Sequence, residues 1–287
     1  MKQRILFGAL MIAVLVGLLV LDWRLGLPGG WRIVGVPVGG LLGLLIAVGA
    51  LELVRLVRMA NLPVMAGPAV LMAVALATGP LWMQLLPERP ANPLNLWLLA
   101  TPGVVIIAFA AQMARYRLDS PIGRVAATIF IPAYLGTCAA CILALRISAG
   151  MPAFLVFLAA VKFTDIGAYF TGSAIGRHKL IPWLSPGKSW EGLAGGLALG
   201  VIAAVAIWWA LGHGGHSIID GWRVALFGLA MGLVGQFGDL CESLLKRAAS
   251  AKDAGRLVPR FGGVLDMIDS PLIAGPVALA LWPLMGL

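Results

Sequence analysis

Residues Gly238–Ser270 read GDLCESLLKRAASAKDAGRLVPRFGGVLDMIDS. This stretch holds Asp239, Glu242, Asp253, Asp266 and Asp269, five of the twelve acids in 287 residues. It also holds Lys246, Arg247, Lys252, Arg256 and Arg260, together with Gly262-Gly263, between two long apolar runs. Ionisable groups beside or inside apolar spans are costly to place, so they mark chemistry rather than scaffolding. The pattern points to a site that handles metal and phosphate at a membrane surface.

The rest of the chain supplies the membrane. It is 61% hydrophobic and 11% charged, with a mean hydropathy of +0.97, whereas about a quarter of residues in a soluble domain are charged. Nine apolar runs of the length that crosses a bilayer, roughly 20 residues, lie near 5–22, 33–51, 64–86, 94–114, 122–145, 151–175, 192–211, 222–245 and 264–286. The fold class predicted is therefore an all-α polytopic membrane protein. Met1-Lys2-Gln3-Arg4 resembles the start of a signal peptide, but no small-residue cleavage site follows before Asp22-Trp23-Arg24, so a retained anchor is expected.

Charge orients the layout. With the N-terminus cytoplasmic, fifteen Lys and Arg residues fall on inside segments and five (Arg24, Arg32, Arg89, Arg146 and Arg223) on outside loops, with Lys162 within a span. That bias follows the positive-inside rule. The net charge of +9 thus reads as topology and attraction to anionic headgroups. No solvated basic domain is left to hold nucleic acid.

Polar chemistry is distributed unevenly. Residues 1–150 have almost no ionisable group inside their spans and read as a transmembrane scaffold; residues 151–287 read as the catalytic half, with cytoplasmic loops at 176–191 and 246–263. Cys138 and Cys141 form a CxxC in an apolar span without a second pair, and His213 and His216 sit in an outward loop without a carboxylate. Both read as ordinary packing and loop residues, as does Cys241.

Three constellations carry the candidate chemistry. Lys162, Asp165 and Tyr169 are spaced i, i+3 and i+7 in the sixth span and share one face, the wall of a polar cavity. The loop GRHKLIPWLSPGKSWEG, residues 176–192, presents Ser185, Gly187, Lys188 and Ser189 before a helix start, a source of N–H groups and positive charge for an anion. Asp239, Glu242, Ser243 and Lys246 form a stripe on the eighth span, and Asp266, Asp269 and Ser270 repeat the spacing on the ninth. Two helices offering carboxylates on one face suit Mg²⁺, which takes one or two carboxylates plus substrate phosphates. The basic loop between them supplies charge for phosphate, and Gly262-Gly263 allow close backbone approach.

These residues resemble the phosphatidate cytidylyltransferases (CDP-diacylglycerol synthases). The family pattern S-x-x-K-R-x4-K-D-x-G…H-G-G…D-R-x-D is matched at Ser243, Lys246, Arg247, Lys252, Asp253, Gly255, Gly262, Gly263, Asp266 and Asp269. The stretch Ser185-Pro186-Gly187-Lys188-Ser189-Trp190-Glu191-Gly192 is similar to the family's S-P-K-K-[ST]-W-E-G, and Lys162, Asp165, Ala168 and Tyr169 resemble its earlier polar helix. The chain departs from the pattern where Phe261 replaces His, Met267 replaces Arg and Arg260 replaces a common Gly.

The resemblance implies transfer of CMP from CTP to phosphatidate, giving CDP-diacylglycerol and pyrophosphate, by an enzyme of the bacterial inner membrane whose site faces the cytoplasm. It implies two Mg²⁺ ions as cofactor and a homodimer as partner state. On this reading Asp239 and Asp266 are metal ligands, with Asp269 and Ser243 supporting them. Lys188, Lys246 and Arg247 clamp CTP phosphates, and Lys162 and Asp165 line the cavity with Ser185, Ser189, Lys252, Asp253, Gly262 and Gly263 as binding residues. Two alternatives stay open: a divergent paralogue acting on another lipid phosphate, and a transporter using the intramembrane Lys and Asp.

Overall fold

A segment crossing hydrocarbon must satisfy its own backbone N–H and C=O groups, and a helix does so within one run of chain. The computed structural model describes residues 2–26, 33–86, 93–211, 218–255 and 262–286, and each of the nine expected spans falls on helix there. The elements are α1 Lys2–Leu25, α2 Val36–Met59, α3 Ala66–Met83, α4 Pro93–Ala111, α5 Pro121–Ile131, α6 Thr137–Ser148, α7 Gly150–Ile175, β1 Lys179–Ile181, β2 Ser185–Ser189, α8 Trp190–Ala210, α9 Ile218–Ala248 and α10 Leu265–Leu284. Helices α5 and α6 run as one span through a π-helical turn, Pro132–Gly136. Pro132 has no N–H to donate back along the helix, which accounts for the shift of hydrogen-bond pattern there.

Among the described residues, seven spans, from α2 onward with α4 excepted, are long and apolar enough to cross a membrane; the chain is a membrane protein. Helices α1 and α4, of 24 and 19 residues, occupy the two other expected positions. Outward-facing side chains such as Leu71, Ile106 and Ile202 are more than 60% exposed, as a surface in contact with lipid tails requires.

The chain divides into two compact units. The first comprises Met1–Leu143 and takes back the segment Asp253–Val264; the second comprises Ala144–Lys252 and Leu265–Leu287. The connector between α9 and α10 thus belongs largely to the first unit. Ile46, Leu53, Met65, Ile131 and Leu135 are fully enclosed in the first unit. In the second, Trp282 meets Trp208 and Phe227 edge to face, with ring centroids 5.9 and 5.1 Å apart.

Helices α7 and α8 meet along glycine. Gly192, Gly196 and Gly200 recur every fourth residue of α8, so they line one face. A Cβ on Gly196 would lie 2.6 Å from the Thr164 carbonyl oxygen and 3.0 Å from the Ala168 nitrogen, and one on Gly192 would lie 2.9 Å from the Ala168 carbonyl oxygen. Small residues at this period let two backbones touch, and in lipid that packing replaces the hydrophobic effect as the attraction between helices.

Between α7 and α8 lies the antiparallel hairpin β1–β2, paired Lys179 to Ser189 and Ile181 to Ser185. Ser189 ends the hairpin and caps the next helix, its Oγ accepting the Gly192 N–H at 3.1 Å. Glu191 closes the base: its carboxylate accepts the N–H groups of Arg177 and His178 at 3.2 Å and meets His178 Nδ1 at 2.5 Å.

Gly196→Val is expected to destabilise the protein by about 1–3 kcal/mol through overpacking at this seam. Gly79→Ala, whose Cβ would meet nothing within 4 Å, is expected to have no such effect. Unfolding midpoints in a denaturing-detergent titration check the pair; equal midpoints for Gly196→Val and the parent protein would remove the seam from the account.

Candidate functional site

Helix periodicity puts the stripe of α9 and the acids of α10 inside the second unit. One oxygen each of Asp239, Glu242 and Asp269 lies within 4.8 Å of the others. Glu242 and Asp269 are 0% and 4% exposed, so this is a buried anionic cluster rather than a solvated face. Both Glu242 oxygens are enclosed, and Oε2 is ion-paired with the Lys246 ammonium. Three carboxylates with one oxygen each this close together fit a hard divalent cation such as Mg²⁺.

Two lysines from different elements compensate the cluster. Lys188 of β2 reaches Asp239 Oδ2 at 2.8 Å. It also donates to Gln236 Oε1 at 3.0 Å and to the Gln236 carbonyl at 3.1 Å. Lys246, one turn beyond Glu242 on α9, pairs with Glu242 and with Asp266 Oδ1, the latter at 2.7 Å. Buried carboxylates without such cations would carry a large desolvation cost.

A polar chain extends this arrangement to α7. Gln236 Nε2 donates to Asp165 Oδ1 at 3.0 Å, and Ser270 Oγ lies 3.4 Å from the same oxygen. Asp269 Oδ1 accepts the Ser270 N–H at 2.6 Å. Lys162 donates to Asp165 Oδ2 at 3.4 Å and to the Met267 carbonyl at 2.9 Å. A cation therefore does reach the turn where Met267 departs from the family's Arg, and it comes from α7.

These groups border a cavity of about 580 Å³, lined among others by Asp165, Tyr169, Lys179, Lys188, Ser189, Gln236, Asp239, Glu242, Lys246, Asp266, Asp269 and Ser270. Its volume is of the order that holds a drug-sized or nucleotide-sized ligand. One end is acidic and deep in the helices, while Lys179 and Ser173 lie where α7 gives way to the hairpin.

Several residues expected at the site stand elsewhere. Ser243 is buried at the foot of the stripe but does not line the cavity, nor does Ser185. Arg247 turns to the hairpin, its Nε donating to the Leu184 carbonyl at 3.3 Å. Lys252 is exposed at the end of the second unit, whereas Asp253, Gly262 and Gly263 belong to the first. Arg256, Arg260 and Phe261 lie outside the described residues, as do His213 and His216. Cys138, Cys141 and Cys241 are free thiols.

Sequence reasoning placed Glu242 on the stripe without giving it a site role, and it missed Gln236. Residues 236, 239, 243 and 246 continue a single helical face, and that spacing was the available signal. The lysine pairing gives a stability test. Lys246→Met is expected to cost about 3–5 kcal/mol by leaving Glu242 buried and uncompensated, and adding Glu242→Gln is expected to recover most of it. Thermal unfolding of the two variants checks this; a double variant no more stable than Lys246→Met contradicts it.

Comparison with known proteins adds a second line. The sequence profile of the cytidylyltransferase family matches residues 2–285. A phosphatidate cytidylyltransferase of Brucella suis is 44% identical over 129 residues, covering 45% of this chain and 46% of that protein. Proteins of the same name from Pseudomonas aeruginosa and Haemophilus influenzae are 45% identical over 118 residues and 42% over 116, covering 41% and 39% of this chain and 42% and 39% of their own lengths. Each match spans under half of the relative's length.

Proposed function

Because the chain belongs to the cytidylyltransferase family, matched over residues 2–285, we propose that it transfers CMP from CTP to phosphatidate, producing CDP-diacylglycerol and pyrophosphate. The observation that carries this reading is the Asp239–Glu242–Asp269 cluster, its last two acids buried, set against Lys188 and Lys246 in one cavity. In the reaction a phosphate oxygen of the lipid forms a new bond to the α-phosphorus of CTP. The bond from that phosphorus to the bridging oxygen breaks, and pyrophosphate leaves with the electron pair. A phosphate monoester is already ionised near neutral pH, so no strong general base is needed.

The difficulty is electrostatic, since two anions must approach one another. Lys188 and Lys246 line the cavity beside its acids, and each is held by carboxylates that a bound phosphate would in part replace. Gln236, itself held by Asp165, accepts from the Lys188 ammonium, so the charge is positioned before substrate arrives. Asp239, Glu242 and Asp269 would hold Mg²⁺, with Asp266 available to a second ion on releasing Lys246. When bound there, such an ion would supply positive charge to offset that of the phosphates and of the leaving pyrophosphate. The basic bias of the inside segments would put the hairpin, and with it the mouth of the cavity, on the cytoplasmic side, where CTP is available.

Pyrophosphate release by purified protein tests the proposal, with CTP, dCTP and other nucleotides crossed against several lipid phosphates. Release is expected with CTP and phosphatidate, and Asp239→Asn is expected to lower it by about 10²-fold or more. Chelation of divalent metal should stop turnover and added Mg²⁺ should restore it. Release unaffected by Asp239→Asn, or absent with every nucleotide and lipid pair, contradicts the assignment.

A further inference from the structure

We propose that Glu52, in the N-terminal helices, is a positioning residue that fastens the connector between α9 and α10. Glu52 sits in the second half of α2, is 4% exposed, and faces inward while Arg55 and Arg58 of the same helix face outward. A buried carboxylate accepts hydrogen bonds and donates none, so it needs backbone N–H groups or cations around it.

The backbone pressed against it is that of Gly255 and Gly263. A Cβ on Gly255 would collide with Glu52 Oε1, and one on Gly263 would lie 2.5 Å from Oε2 and 2.7 Å from the Gly255 nitrogen. Glycine is therefore required at both positions because the carboxylate occupies the space a side chain would fill. The two glycines also meet each other there, so both ends of the intervening segment are pinned at one point. Gly263 is three residues before Asp266, and Gly255 is three after Lys252. A carboxylate in the first half of the sequence thus gathers the two ends of the connector at one point within the first unit.

The effect on turnover rests on the cytidylyltransferase reading, but the fastening itself is tested without it. Glu52→Ala is expected to speed tryptic cleavage in the connector by about tenfold by raising the population of locally open states. It is also expected to raise KM for CTP by about tenfold, since small misplacements of binding groups are costly. A simple loss of folded protein would lower apparent kcat and leave KM alone. Gly255→Ala should reproduce both effects, the Glu52→Ala/Gly255→Ala pair should be no worse than either alone, and Glu52→Gln, which keeps the shape and an acceptor oxygen, should be the mildest. Should Glu52→Ala not yield folded protein, Gly255→Ala and Glu52→Gln carry the same comparison. Parental cleavage rates and KM in Glu52→Ala, or effects of the two changes that add, overturn the proposal. A parent protein that releases no pyrophosphate would sink the functional reading, and the cleavage rates would still decide the fastening.

Discussion

The second unit is organised by the need to accommodate carboxylates inside helices that lie in hydrocarbon. Each ionised side chain there costs about 2.5–3.5 kcal/mol on insertion scales, and Asp165, Asp239, Glu242, Asp266 and Asp269 are gathered in one place. Lys162, Lys188 and Lys246 offset that cost, arriving from α7, the hairpin and α9 respectively. Gln236 ties two of these systems together by accepting from Lys188 and donating to Asp165. The cations that make the acidic cluster tolerable are the same ones an anionic substrate would meet.

The surrounding structure serves that arrangement. The glycine seam lets α7 and α8 approach closely, and Ser189 links the end of the hairpin to the start of α8. Glu191 closes the hairpin at its base and Arg247 holds it near its tip. Lys188 is thereby carried on a rigid element rather than a free loop, which matters because its reach to Asp239 is short and direct. In this light Arg247, expected as a phosphate clamp, acts in the structure as a strap on the element that carries Lys188.

Much of this was legible in the chain. Hydrophobic length gave the positions of the spans, and helical spacing put Asp239 with Glu242 and Asp266 with Asp269 on shared faces. What spacing cannot give is partnership across elements. It did not show that Lys188 meets Asp239, that Asp266 takes Lys246 while Glu242 completes the acidic trio, or that Gln236 bridges them. The hairpin read as loop because Ser-Pro-Gly-Lys-Ser is poor strand sequence; its pairing is imposed by the closure at Glu191. Glu52 escaped notice because the second span was expected to end at residue 51, with Arg55 and Arg58 in a loop. The helix instead continues to Met59 with both arginines outward, which draws Glu52 into the interior.

The central claim is that Asp239, Glu242 and Asp269 form a divalent-cation site. Titrating Mn²⁺ into the purified protein and following its electron paramagnetic resonance signal measures this without substrate or turnover. Saturable binding that Mg²⁺ displaces, and that Glu242→Gln abolishes while the protein stays folded, is the result predicted. Absence of saturable binding, or binding that Glu242→Gln leaves intact, would contradict it.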